Sequence, residues 1–206
     1  MSRWQEIPTL QGEFVMLRPL AEDDWQALAK AHDGLGILEY FPYGPESEPP
    51  SPENVAAAVR SPGRNVLLQI DRATGTAVGT TSIYQVDEVR RQLTIGYTWL
   101  SEAVQGGPIN AEAKLLLFRH AFDTLGAVRV QLYVDDLNSR SQRAVLRTGA
   151  QREGVLRKHA RRRDGSWRNT VVFSVIDEEW PQVAERLAQT VRERARAAGG
   201  DRTLRS

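Results

Sequence analysis

The passage that most constrains this chain of 206 residues is the one where its periodicity changes. Over Arg91–Leu100, residues Leu93, Ile95, Tyr97 and Trp99 fall on one side and Gln92, Thr94, Gly96 and Thr98 on the other. That is the alternation of a strand with one buried face. Gln105-Gly-Gly-Pro-Ile-Asn110 follows, and a strongly apolar helix is expected over Asn110–Leu125. A glycine-rich turn feeding a helix start gathers orphan N–H groups and the positive end of the helix dipole at one point, which suits a phosphate. Gly106 and Gly107 permit close backbone approach, and Asn110 is the expected N-cap. A plain strand–helix connection explains the same residues, and Glu112 puts a negative charge in the first turn. The loop alone leaves both readings open.

Upstream, the chain predicts a strand over Phe14–Leu20, a helix over Ala21–His32 and an irregular stretch over Phe41–Pro52. That stretch holds Pro42, Pro45, Pro49 and Pro50, and it is long enough to be a substrate-side loop. A short helix at Glu53–Arg60 leads into three strands, Asn65–Asp71, Ala77–Val86 and Arg91–Leu100, which read as an antiparallel meander. Downstream the order changes to strand Val128–Val134, helix Asn138–Thr148, strand Arg168–Ile176 and helix Asp177–Ala198. A βαβ-like half fused to an antiparallel half is an α/β (α+β) architecture. Residues 1–198 are read as one domain and 199–206 as a disordered tail.

Lys and Arg number 27 against 26 Asp and Glu, so no basic excess points to nucleic acid. There is no cysteine, which excludes a disulfide framework, a thiolate metal site and a covalent cysteine intermediate. No metal-ligand constellation stands out. No apolar run approaches the roughly 20 residues that span a bilayer, and the first residues lack a signal-peptide pattern. The expectation is a cytoplasmic protein without membrane contact.

Several motifs in order resemble the GNAT N-acetyltransferases, in their ribosomal-protein acetyltransferase (RimJ/RimL-like) branch. Gln105-Gly-Gly-Pro-Ile-Asn110 resembles the loop, written Gln/Arg-x-x-Gly-x-Gly/Ala, that binds the coenzyme A pyrophosphate, and departs from it at Pro108 and Asn110. Asn110-Ala-Glu-Ala-Lys114 is similar to the start of the helix after it, and Val128–Val134 to the strand beyond. Asn138-Ser-Arg-Ser141 resembles the opening of the next helix, and Val171–Trp180 the closing strand and tryptophan. Glu13–Asp24 looks like the family's first strand and helix. The resemblance covers about residues 12–185.

The resemblance implies a mixed, mostly antiparallel central sheet with flanking helices, splayed between Arg91–Leu100 and Val128–Val134 to admit acyl-CoA. It implies that Trp99, Leu100 and Ser101 pair with the pantetheine arm, and that Gln105, Gly106, Gly107, Ile109 and Asn110 hold the pyrophosphate. Asn138 would bind the pantetheine or acyl region. The implied reaction is direct attack of a primary amine, on a protein N-terminus or a small molecule, at the thioester of acetyl-CoA. Many relatives place a proton-donating Tyr seven residues after that Asn. Here the position is Val145, so Ser141 is the candidate donor. Glu39, beside the Pro-rich loop, is the candidate base, ahead of His120, which sits inside an apolar helix. Pro108 and the missing Tyr leave a catalytically silent acyl-CoA-binding module as the alternative. The arginines of Arg157–Arg168 read first as a solvated hairpin and second as attraction for an acidic acceptor or RNA. Val183, Leu187 and Val191 form a stripe that suits packing on this domain or on a second copy in a homodimer.

Overall fold

The computed structural model describes residues 3–4, 6, 8–32, 34, 36, 38–44 and 47–203, with side chains as far as Ala198. Among them the elements run β1 (Leu10–Gln11), β2 (Val15–Pro19), α1 (Trp25–Ala31), α2 (Pro52–Val59), β3 (Arg64–Asp71), β4 (Thr76–Asp87) and β5 (Gln92–Leu100). There follow α3 (Ile109–Arg119), β6 (Arg129–Asp135), α4 (Ser139–Thr148), β7 (Gln151–Arg161), β8 (Trp167–Ile176) and α5 (Trp180–Thr203). The strands form one sheet in the order β1-β2-β3-β4-β5-β6-β8-β7. β5 and β6 are parallel and every other neighbouring pair is antiparallel. A parallel pair needs a crossover, and the apolar α3 with its π-helical last turn, His120–Leu125, supplies it. Gly126, at φ +72°, ends that turn in a conformation glycine adopts without penalty.

Each face of the sheet carries its own core. Leu17, Leu93, Ile95, Phe118 and Phe173 belong to the cluster beneath α3 and α5. Leu20, Leu28, Leu68 and Trp99 form the cluster beneath α1 and α2. The stripe Val183, Leu187 and Val191 is buried inside this chain, in or beside the first cluster, where Trp180 stacks on Phe122 with ring centres 5.3 Å apart. The helix carrying it continues to Thr203, and residues 204–206 of the expected tail lie outside the described residues.

Strict alternation along β5 does not hold. Its register against β4 slips where Thr80 pairs with Trp99 and Ser82 with Gly96, and Tyr97 sits at φ +49°. The extra residue is a β-bulge, which turns the rest of the strand over. Leu93 and Ile95 therefore face the α3 side, whereas Trp99 packs against the α1 side, its ring 5.9 Å from that of His32. Tyr97 joins Phe41 and Tyr84 instead of Leu93. Gly79 on β4 permits this local crowding: at φ +152°, a Cβ there would lie 2.0 Å from the Trp99 carbonyl oxygen.

β7 carries little apolar alternation, and the sequence reading placed no strand there. It is an exposed, charged edge strand, a composition that discourages further strand pairing. The basic cluster on β7–β8 is a hairpin as expected, with Arg157, Lys158, Arg161 and Arg163 exposed, but it is not wholly solvated. Arg168 is buried, Arg162 pairs with Asp135 and Asp136 at 2.8 Å each, and Arg163 pairs with Glu48. Arg161 stacks 3.8 Å over Trp167.

Candidate active site

β5 and β6 are paired only over Gln92↔Arg129, Leu93↔Val130 and Thr94↔Gln131. Beyond Thr94 the bulge redirects β5 and the strands part. A cavity of about 710 Å³ opens in the fork. Its lining runs from Gln105, Asn110, Asn138 and Arg140 at one end to Tyr133, His159 and Arg168 at the other.

At the first end, Gln105 bridges the fork: its amide donates to the Leu100 carbonyl at 2.8 Å and its oxygen accepts from Arg140. Gly106, at φ +82°, reverses the chain toward α3. Arg194 of α5 donates to the Gly107 carbonyl, so two arginines brace the loop. Asn110 is not the N-cap. Pro108, which has no N–H to lose and a φ of −72° suited to a helix start, takes that position. Asn110 lines the cavity, and its Oδ1 is buried without a hydrogen-bond partner among the described residues. Gly106, Gly107 and Ile109 do not line the cavity, and Ile109 is in the core. Glu112 points away from the loop and accepts from the N–H groups of Glu13, Phe14 and Val15 at 2.7, 2.7 and 2.8 Å. Its hydrogen bonds are spent on the start of β2 and none on the loop.

Trp99 and Leu100 line the fork; Ser101 does not, and gives its N–H to the Val78 carbonyl at 2.8 Å. Asn138 is the N-cap of α4, its side chain accepting from Ser141 N at 2.9 Å. That cap leaves the Ser141 hydroxyl on the cavity wall, together with Val145. Glu39 is exposed and absent from the lining, although Tyr40 and Phe41 beside it take part. His120 is buried by a separate cavity of about 340 Å³ near Pro8 and Thr124, where burial pushes its imidazole below the usual range.

Two lining residues escaped sequence reasoning. His159 lies between the β7–β8 pairs Leu156↔Thr170 and Ala160↔Arg168, where β7 carries extra residues and Lys158 sits at φ +49°. This bulge brings the imidazole Nδ1 to 3.1 Å from Thr170 Oγ1 and its ring edge-on to Tyr133. Burial first, and the charge of Arg168 second, hold its pKa below the usual imidazole value. The other residue is Lys114, in the second turn of α3. Its ammonium donates to Thr98 Oγ1 at 2.7 Å, and burial lowers its pKa to about 7.

A family model, the acetyltransferase (GNAT) domain, matches residues 15–151, well over half of the chain. The chain belongs to the GNAT acetyltransferases. A protein of T. thermophilus assigned as an acetyltransferase is 37% identical in sequence, with a TM-score of 0.80 over 90% of this chain and 98% of that one. The uncharacterized N-acetyltransferase YoaA of Bacillus subtilis is 26% identical over 176 residues, 82% of this chain and 97% of its own. Mycobacterium smegmatis RimJ, solved in complex with CoA-disulfide, shares the fold at 24% identity, with a TM-score of 0.70 over 85% of this chain and 88% of its own.

Membership of the GNAT family makes this chain an acetyl-CoA-dependent acyltransferase with the mixed sheet described above. The residues present fit that cosubstrate. The fork leaves strand edges open for an extended arm, and the start of α3 with Arg140 and Arg194 suits phosphate. The orphaned Asn110 oxygen calls for a donor from a ligand. Among the described residues no group of His, Asp and Glu is arranged to hold a metal, and no helix is long and apolar enough to cross a membrane.

Lys114 gives a prediction of its own. Its folded pKa of about 7 lies below the 10.5 of a free lysine, so the unfolded chain binds more protons between those values and stability rises with pH there. Lys114→Met removes this cost. The variant should be more stable than the parent by a few kcal/mol at pH 7 and below, with the gap closing toward pH 10.5. Urea titrations of both proteins across that range check it; a pH-independent gap contradicts it.

Proposed function

We propose that this chain transfers the acetyl group of acetyl-CoA directly to a primary amine. The observation that carries the reading is the cavity joining the Gln105–Asn110 loop, through the β5–β6 fork, to the His159 imidazole, whose protonation partial burial and the Arg168 charge disfavour. Amine acetylation needs an uncharged nitrogen attacking a carbonyl, and a base to take the proton as the bond forms. His159 suits that role. In the tautomer whose Nδ1–H donates to Thr170 Oγ1, Nε2 is the basic nitrogen, and partial burial with the nearby Arg168 charge disfavours its protonation. Glu39, exposed and outside the cavity, suits it less well. Ser141, which lines the fork, is our candidate to protonate the departing thiolate, and Val145 offers no proton there. With no cysteine in the chain, no thioester with the enzyme forms on the way. The site is open to small amines and to a peptide N-terminus, and a cytoplasmic setting supplies both acetyl-CoA and such acceptors.

Ser141→Ala should lower turnover about tenfold or more while leaving acetyl-CoA affinity unchanged, because the cap on Asn138 uses the backbone N–H of residue 141. Calorimetric binding beside steady-state rates checks this, and unchanged turnover removes Ser141 from the chemistry. The proposal as a whole is tested by thiol release on adding amines to enzyme and acetyl-CoA. Binding without release, for every amine tried, is the behaviour of a silent acyl-CoA-binding module.

A further inference from the structure

The acceptor end of the cavity carries a buried cation whose one ion pair among the described residues is long and shared with a second arginine. Arg168 is only 5% exposed and lines the cavity. Its Nη1 donates to the Tyr40 carbonyl at 3.2 Å, and its Nε is buried without a hydrogen bond. The nearest carboxylate, Asp135, is 3.8 Å from that Nε. Asp135 is already taken: Arg162 donates to both of its oxygens at 2.8 Å, and the N–H of Leu137 donates to one of them at 2.9 Å. Among the described residues, Nη2 of Arg168 makes no hydrogen bond. A buried guanidinium that lines a cavity and shares its one carboxylate with a closer arginine can take a further anion, and its planar fork suits a carboxylate.

The register places this cation beside the chemistry. Ala160 pairs with Arg168, and the bulge that follows Leu156 brings His159, the residue before Ala160, to 3.1 Å from Thr170, two positions along from Arg168 on β8. Of the acids lining the cavity, Asp135 is saturated and Glu102 stands by Gln105 at the opposite end. A polyamine or aminoglycoside would therefore meet a cation with no free carboxylate to offset its charges.

We propose that Arg168 is the anchor of an anion subsite, and that the acceptor is an amine bearing a carboxylate close to the reacting nitrogen. This rests on amine acetylation being the reaction. The same chemistry is presented by a free α-amino acid or short peptide acid and by a peptide N-terminus with an acidic side chain. The arginine also restrains the protonation of His159, so the group that holds the acceptor keeps the base ready.

The test uses the full chain, acetyl-CoA and thiol release. The acceptors are free L-amino acids and dipeptides, their C-terminal amides, amidated peptides beginning with Asp- or Glu-containing pairs, and spermidine. The expected result is a preference of tenfold or more in kcat/KM for carboxylates over matched amides. It should be carried by KM, lost in Arg168→Gln and partly kept in Arg168→Lys, with acetyl-CoA affinity unchanged in both. A preference confined to free acids identifies the small-molecule source; one confined to acidic amidated peptides identifies a polypeptide. Amides or spermidine used as well as carboxylates overturns the subsite. If no amine is acetylated, the amine reading fails, and the subsite is judged by binding alone. N-acetylglycine and N-acetylglycinamide are then titrated into the CoA complex. A tenfold tighter acid, lost in Arg168→Gln, sustains the anchor, and equal binding overturns it. Should Arg168→Gln misfold, Arg168→Lys decides: a preference reduced with its change in KM sustains the anchor, and a preference unchanged in Arg168→Lys, or absent in the parent protein, overturns it.

Discussion

Glu112→Ala should cost this protein about 3–5 kcal/mol of folding stability. Its carboxylate accepts from three consecutive backbone N–H groups at 2.7, 2.7 and 2.8 Å, and Val15, at the last of them, is fully buried. These are charge-assisted bonds, and truncation leaves the buried Val15 N–H without its acceptor and the two part-buried donors before it to water. Gly12 belongs to the same arrangement, because a Cβ there would lie 2.3 Å from the Glu112 carboxyl carbon. Glu112→Gln should also destabilise, since its amide turns one acceptor oxygen into a donor facing another donor. Urea unfolding checks both variants through the midpoint at constant slope. A loss below about 0.5 kcal/mol for Glu112→Ala, the size of an ordinary surface change, contradicts the stapling of β2 to α3.

That role was not visible in the sequence. Read locally, Glu112 is an acid in the first turn of a helix and counts against a phosphate site. Its actual partners are about a hundred positions away, and only the tertiary fold brings them together. The elements carried by local pattern were legible: the meander, the apolar crossover helix, the Asn138-capped α4 and its Gly149 end. Both bulges were not. Alternation on β5 predicts Tyr97 and Trp99 beside Leu93, and one extra residue at Tyr97 reverses that assignment. The bulge near Lys158 lies in a stretch with no apolar rhythm, so nothing in the sequence directed attention to His159. The Gln105–Asn110 loop stands where it was expected, but its helix start is shifted: Pro108 caps and Asn110 faces the fork.

The substitution with the largest expected effect on turnover is His159→Gln, which should lower kcat by about a hundredfold or more with acetyl-CoA affinity unchanged. Glutamine is close in size and can still meet Thr170, but it cannot accept a proton. The pH profile separates this role from a structural one. Burial and Arg168 both disfavour the imidazolium, so the parent enzyme should lose activity with falling pH through a value below the usual imidazole pKa of about 6.5. The base is neutral and active above that value and protonated and inactive below it. In His159→Gln this acid limb should vanish along with most of the rate. A variant that keeps both the rate and the limb shows that water or another group takes the proton.

The central claim is that the β5–β6 fork delivers an acetyl group straight from acetyl-CoA to an amine. The most direct measurement follows, in one reaction, the free thiol released, the N-acetylated amine by mass spectrometry, and the intact mass of the protein. The prediction is one thiol per acetylated amine, with no acetylated protein at any time. Thiol release without acetylated amine, or acetyl-CoA bound with no thiol released across the amine panel, would contradict it.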